Sequence, residues 1–489
     1  MKRTLVVFLL VNLMLSACAP VSAPTPTPAP SATLLPTATA TAPATATPTP
    51  QPTETPTPVP TEVILTPEQQ LTEYLKTDEA KQSIDQFVNI MKTAGGEITS
   101  DQVIEELVIN NNIASYTITI DGVNYSFGFY HHESGWRNIS LRDLSESKLG
   151  FPIGTTASFG DKNTNMPKYQ NTLATEFNLV SCSAAFQNAY IDKNNNPDFW
   201  TNKAAQNNQI LVMKEMYSHQ DKPEKLVNFS GTAEEYKDAV GKHMDERSRK
   251  FLSYIKKYNM QGKTMIGLAN EPFINAAWVN GEKSPFYKAY GEQWITEAYV
   301  RLYKIAVEEY GLTPGVDFKI IGVNERGIEK PGLQTDFVIK QVNKIKKEIS
   351  TRLDIPVNEI PFDIGIEFHL GKTHGKRDKT LPFSQLTPKN RSTLVNNLIK
   401  ISQETGGSGI YLSEVDIVGG ETEAAISFAE LAQIAHDSGV VIGFTFFHAL
   451  AADRLDPSKD WQNPLFGEGF EKSKVYYAFL SRLLTLGLN

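Results

Sequence analysis

The folded part of this chain is expected to be α/β: a (β/α)8 TIM barrel preceded by a small α+β domain and a disordered Pro/Thr-rich linker. Three observations carry that expectation. Between residues 141 and 489, short β-rich runs alternate eight times with helical runs, the rhythm of parallel βαβ units. The 489 residues exceed the roughly 250 to 300 at which a single core stops growing, so a second folded part is expected. Hydrophobic residues make up 40% of the chain, which supplies a core and excludes global disorder.

The chain opens on Met1-Lys-Arg, followed by an apolar run from Leu5 to Leu15 broken only by Asn12, a secretory signal too short to span a bilayer. Leu15-Ser16-Ala17-Cys18 resembles the bacterial lipobox, which implies that Cys18 is lipidated and becomes the mature first residue. Residues 1–18 are therefore read as a lipoprotein signal, and the protein is expected outside the cytoplasm, anchored to the bacterial cell envelope through lipid alone. With Cys18 lipidated, Cys182 is a lone thiol and no disulfide supports the fold. Residues 19–62 are nearly pure Pro, Thr, Ala and Ser, a composition that buries no core and favours extended polyproline-like conformers, hence a linker.

Residues 63–140 read as a small α+β accessory domain. Two helical stretches, 66–95 and 99–109, precede a run from Ser115 to Ile120 that alternates with period two, an Asp121-Gly122 turn, and a returning strand from Val123. His131-His132-Glu133 reads as an exposed hairpin end rather than a metal cluster.

Residues 141–489 read as the barrel. Its eight strands are expected at Phe151–Thr156, Asn178–Ser183, Ile210–Tyr217, Thr264–Ala269, Phe318–Val323, Phe362–Phe368, Gly409–Glu414 and Val440–Phe447. Helices over 234–258, 292–310, 336–350 and 426–439 show apolar residues at three- and four-residue spacing. The net charge of -8 argues against a nucleic-acid partner, because neutralising phosphates takes a Lys/Arg excess, and admits a neutral polysaccharide. A monomer without cofactor or metal is expected.

Reactive groups in such a barrel project from the carboxyl ends of the strands. The fourth strand ends in Asn270-Glu271-Pro272, the sixth in Glu367-Phe-His369 and the seventh in Ser413-Glu414-Val-Asp416. Glycosidic hydrolysis needs one carboxyl to protonate the leaving oxygen and a second to attack or stabilise the anomeric centre. Glu271 is read as the general acid/base and Glu414 as the nucleophile.

Across residues 141 to 485 the chain resembles glycoside hydrolase family 10, the endo-β-1,4-xylanases. Ile266-Gly-Leu-Ala-Asn-Glu-Pro-Phe273 resembles that family's acid/base segment, Tyr411-Leu-Ser-Glu-Val-Asp-Ile417 its nucleophile segment, and Gly365-Ile-Glu-Phe-His-Leu370 its sixth-strand motif. The resemblance implies that His369 orients the nucleophile and that Asn270, His219 and Asn324 belong to the substrate-binding set. Lys214 and Glu367 stand where the family has histidine and glutamine, and are read either as sugar-reading residues or as an ion pair within the cleft. A retaining hydrolase of xylan or a related hemicellulose is implied. Two alternatives stand beside it: a cell-surface glycan-binding protein with a decayed barrel, and a metal-dependent hydrolase using His219, Glu271, His369 and Glu414.

Overall fold

The computed structural model describes residues 65–157, 166–182, 186, 197–218, 223–273, 284–370, 386, 388–417, 420–451 and 463–486. The signal segment, Cys18, the linker and His219 lie outside them. No helix among the described residues is long and apolar enough to cross a membrane.

Residues 64–489 form one compact unit. Its amino-terminal part carries a four-stranded antiparallel sheet in the order β1 (Val108–Asn110), β2 (Ile113–Ile120), β3 (Val123–His132), β4 (Gly135–Asn138). Asp121 and Gly122 both take positive φ, 51° and 77°, the geometry of a two-residue turn matched to the strand twist. The first helical stretch splits into Pro67–Tyr74 and Asp78–Thr93, because the Thr77 side chain accepts from the Ala80 amide and starts a new helix. His131 bonds Gln70 at 2.8 Å, and His132 faces Asp143 at 3.7 Å, so the two histidines turn to separate partners.

The other eight strands close a parallel barrel: β5 (Ile153–Thr156), β6 (Leu179–Ser181), β7 (Ile210–Met213), β8 (Thr264–Asn270), β9 (Lys319–Arg326), β10 (Asp363–Leu370), β11 (Ile410–Ile417) and β12 (Val441–Phe446). Closure comes from Phe444 pairing with Ile153 and Thr445 with Gly154. The expected strands sit within a few residues of the observed ones. The third is shorter, leaving Lys214–Tyr217 as an irregular segment, while the sixth and seventh run on to Leu370 and Ile417. Amphipathic helices cover the outside; Ala233–Lys257, for example, starts on a capping box between Thr232 and Glu235. Leu179, Val212, Met265, Ile321 and Tyr411, from five strands, form a hydrophobic cluster of their own. Large apolar residues of this kind fill the inside of such barrels and leave the strand ends to chemistry.

Candidate active site

Glu271 directly follows β8, and Glu414 lies in β11, three strands further round the ring. Both have left-handed backbone, with φ of 44° and 50°. An L-residue with a side chain of this size adopts that conformation only where its surroundings impose it. For Glu414 the cause is a bulge. Pairing of β11 with β12 shifts register between Leu412 and Val415, and pairing with β10 shifts between Glu367 and His369. Bulges of this sort turn a side chain off the regular pleat, here at the barrel rim. Glu271 is fixed by its amide, which donates to the Asn324 carbonyl at 2.7 Å.

Each glutamate meets a cation. Arg326 Nε lies 2.7 Å from Glu271 Oε1, and the Lys214 ammonium contacts Glu414 Oε1 and stands 3.3 Å from Glu215 Oε1. Lys214 is only 3% exposed, so these charges meet largely out of water. Of the two readings of Lys214 and Glu367, the direct ion pair is not formed: among the described residues Lys214 pairs with Glu414 and Glu215. Glu367 instead accepts from Asn324 Nδ2 at 2.9 Å and faces His369 Nε2 at 3.7 Å.

His369 is bracketed by carboxylates. Its Nδ1 is 2.7 Å from Asp416 Oδ1, and its Nε2 is 3.3 Å from Glu414 Oε2. Burial opposes a charged ring, but Asp416 and Glu367 outweigh it and push the imidazole up to about 10. The same environment holds Glu367 down: burial works against its charge, and His369 and Lys214 favour it. Donor atoms of Glu367, His369 and Glu414 lie within 4.8 Å of one another. The Lys214 ammonium lies against Glu414 Oε1, so the chain itself supplies a cation to this cluster.

Asn324 is the organiser beneath these groups. Its amide donates to Asn270 Oδ1 at 2.7 Å and to Glu367, and its oxygen accepts from Ser413 Oγ. Both donors are engaged inside the protein. Gly365 makes room for it, because a Cβ there would lie 2.2 Å from Asn324 Oδ1. Tyr217 is wholly buried, edge-on to Phe286 and Trp294, and serves the core rather than a sugar face.

Two residues of the cluster escaped sequence reasoning: Arg326 and Glu215. Glu325 is fully buried and accepts from the Phe273 amide at 3.0 Å and the Arg326 amide at 3.2 Å. Burial pushes its carboxyl up to about 8 against those two amides, with Glu367 and Glu271 adding to the rise. The legible signal was Asn-Glu-Arg ending the fifth strand, three polar side chains in a row at the rim.

A parallel (β/α)8 barrel whose rim holds two carboxylates from separate strands over a charged cluster is an arrangement that suits a glycoside hydrolase. The profile of Glycosyl hydrolase family 10 matches residues 140–446. The chain belongs to that family. Among solved structures, native xylanase 10B from Thermotoga maritima is 20% identical with a TM-score of 0.52, covering 71% of this chain and 98% of its own. Xylanase 10B from Thermotoga petrophila, solved with xylobiose, is 20% identical with a TM-score of 0.53 and the same coverage. The intracellular xylanase of Thermoanaerobacterium saccharolyticum is 16% identical with a TM-score of 0.52, covering 70% of this chain and 98% of its own. No curated protein matches the sequence.

Proposed function

We propose that this protein is a retaining glycoside hydrolase that cleaves β-1,4-linked polysaccharide, xylan or a related hemicellulose, by double displacement, outside the cell on a lipid anchor at Cys18. One observation carries the reading: Glu271 and Glu414 stand at the ends of separate strands of one rim, each in left-handed backbone and each engaged by a buried or half-buried cation. Backbone strain and clustered charge at a barrel rim mark a functional site. The choice of xylan rests on family membership and on fold neighbours that are xylanases. The envelope location rests on the signal and lipobox sequence and on the Pro/Thr tether.

In the first step a Glu414 oxygen forms a bond to the anomeric carbon. The glycosidic C–O bond breaks, its electron pair stays on the leaving oxygen, and that oxygen takes the proton carried by Glu271. In the second step Glu271 removes a proton from water, the water oxygen bonds to the anomeric carbon, and the ester bond returns its electron pair to Glu414. His369, charged throughout, holds the second oxygen of Glu414 in line, and Asp416 holds His369. Asn324, tied to Asn270 and Glu367, keeps strands β8, β9 and β10 in register beneath the sugar.

The test is hydrolysis of xylan and of an aryl β-xylobioside by the full chain. Glu271→Gln should lose about 10²- to 10⁴-fold on xylan, and azide should restore turnover of Glu414→Ala on the aryl glycoside by giving a glycosyl azide of inverted configuration. A wild-type chain that binds xylan and releases no product would instead make it a glycan-binding protein.

A further inference from the structure

Lys214 lies between two carboxylates. Its ammonium contacts Glu414 and stands 3.3 Å from Glu215, and both Lys214 and Glu215 are buried. The placement of Glu215 is built into the backbone. Its φ is 64°, its carbonyl accepts from Arg247 Nη2 at 3.4 Å, and its amide passes within 3.1 Å of where a Cβ on Gly267 would be. Gly267 on β8 thus lets the irregular segment after β7 come close enough to present Lys214 and Glu215 together. Beside them is a cavity of ≈ 10 Å³, lined by Lys214, Glu215, Gly267, Asn324 and Tyr411. That is room for about one water-sized group.

We infer that Lys214 is a positioning residue that exchanges carboxylate partners during the reaction, lying on Glu414 in the free enzyme and on Glu215 while Glu414 is esterified. The inference rests on the double-displacement reading. When the Glu414 oxygen bonds to the sugar, the carboxylate becomes a neutral ester and Lys214 loses the nearer of its two counterions. A buried ammonium left without one is costly. Glu215 keeps its charge one short movement away, and the cavity gives the ammonium space to make it. When water cleaves the ester, charge returns to Glu414 and draws Lys214 back, which stabilises the departing carboxylate. Glu215 is therefore the counterion that Lys214 retains in the covalent intermediate.

This assigns opposite effects to the two steps, which general damage to the site would not produce. Without Glu215 the intermediate is destabilised, and Lys214 is held on Glu414. Formation of the intermediate then slows, and its breakdown does not. The experiment uses the full chain with 2,4-dinitrophenyl 2-deoxy-2-fluoro-β-xylobioside, following inactivation, the mass of the adduct on the Glu414 peptide, and reactivation after excess reagent is removed. Glu215→Gln should slow inactivation about tenfold, the cost of a buried charge losing its partner, and leave reactivation equal or faster. Lys214→Met should slow reactivation more than inactivation, and in that background Glu215→Gln should have no further effect on inactivation. Equal slowing of both steps by Glu215→Gln, or an undiminished effect of Glu215→Gln beside Lys214→Met, overturns the inference. If Glu215→Gln does not fold, Lys214→Met decides alone: slower inactivation with unchanged reactivation overturns it. A wild-type chain that yields no adduct on Glu414 fails the double-displacement reading itself, an outcome distinct from an adduct whose lifetime Glu215 and Lys214 do not control.

Discussion

Two titratable groups at the rim, one buried and one half-buried, make stability fall as pH rises, over different windows. Glu325 has its folded-state value raised from 4.5 to about 8 by burial, so between those values the unfolded chain has released a proton that the folded one keeps. Stability from this group is greatest below about 4.5 and is lost towards 8. Glu325→Gln is expected to remove that loss, raising the melting temperature at pH 8 more than at pH 5, as calorimetry at the two pH values would read. A rise at pH 5 alone would contradict the buried neutral carboxyl. His369 has its value raised from 6.5 to about 10, so its contribution is complete below about 6.5 and disappears as pH climbs through 10. NMR of the imidazole should show an unchanging protonated ring from pH 6 to 8, and a midpoint near 6.5 would break the account of how Glu414 is held. Glu271, Glu414 and His369 were legible in sequence because strand rhythm placed them at strand ends and because flanking residues matched family segments. Arg326 and Glu215 were not. A charged residue next to a motif carries no sign of which neighbour it will meet until the strands are in register.

At the scale of the element, the site depends on departures from regular strand geometry. Glu414 occupies a bulge at φ 50°, where glycine is free of strain and a Cβ is not. Glu414→Gly should therefore be more stable than Glu414→Ala by about 1 kcal/mol, although both lack the carboxylate; denaturant titration of the pair measures it, and equal stabilities would argue against the left-handed bulge. Gly365→Ala should destabilise the barrel by about 1 to 3 kcal/mol and lower activity as well, since its Cβ would collide with the Asn324 amide that joins Asn270, Glu367 and Ser413. The eight strands were readable from period and composition, as were the long amphipathic helices. The bulge was not, because a glutamate in left-handed backbone has no sequence signature: the usual markers, glycine and asparagine, are absent from position 414. The end of the third strand at Met213 was also misjudged, because Met216 and Tyr217 are apolar and continue the β-like pattern while the chain has already left the ladder.

Across the whole molecule, the amino-terminal sheet and the barrel share a core. Phe87 packs edge-on against Tyr477 at 4.9 Å and stacks on Phe127 at 5.4 Å. Tyr476 donates to Glu176 at 2.8 Å, and Lys472 donates to the Ile139 carbonyl at 3.3 Å. The helix Lys474–Thr485 is thereby held between the barrel and the strand β3. Phe87→Ala should cost about 3 to 5 kcal/mol and unfold barrel and sheet in one transition; a separate low-temperature transition for the sheet would show that the two parts are independent. A hairpin and its helices could be read from the sequence of residues 65–140, but the surface they pack on could not, since apolar faces do not name their partners.

If Glu414 attacks the sugar and Glu271 serves as acid and then as base, the stereochemistry of the product reports on both roles most directly. Proton NMR of an aryl β-xylobioside during the first minutes of hydrolysis should show the β-anomer of xylobiose forming first, with the α-anomer appearing only through mutarotation. An α-anomer formed first would mean a single displacement by water and would contradict the account.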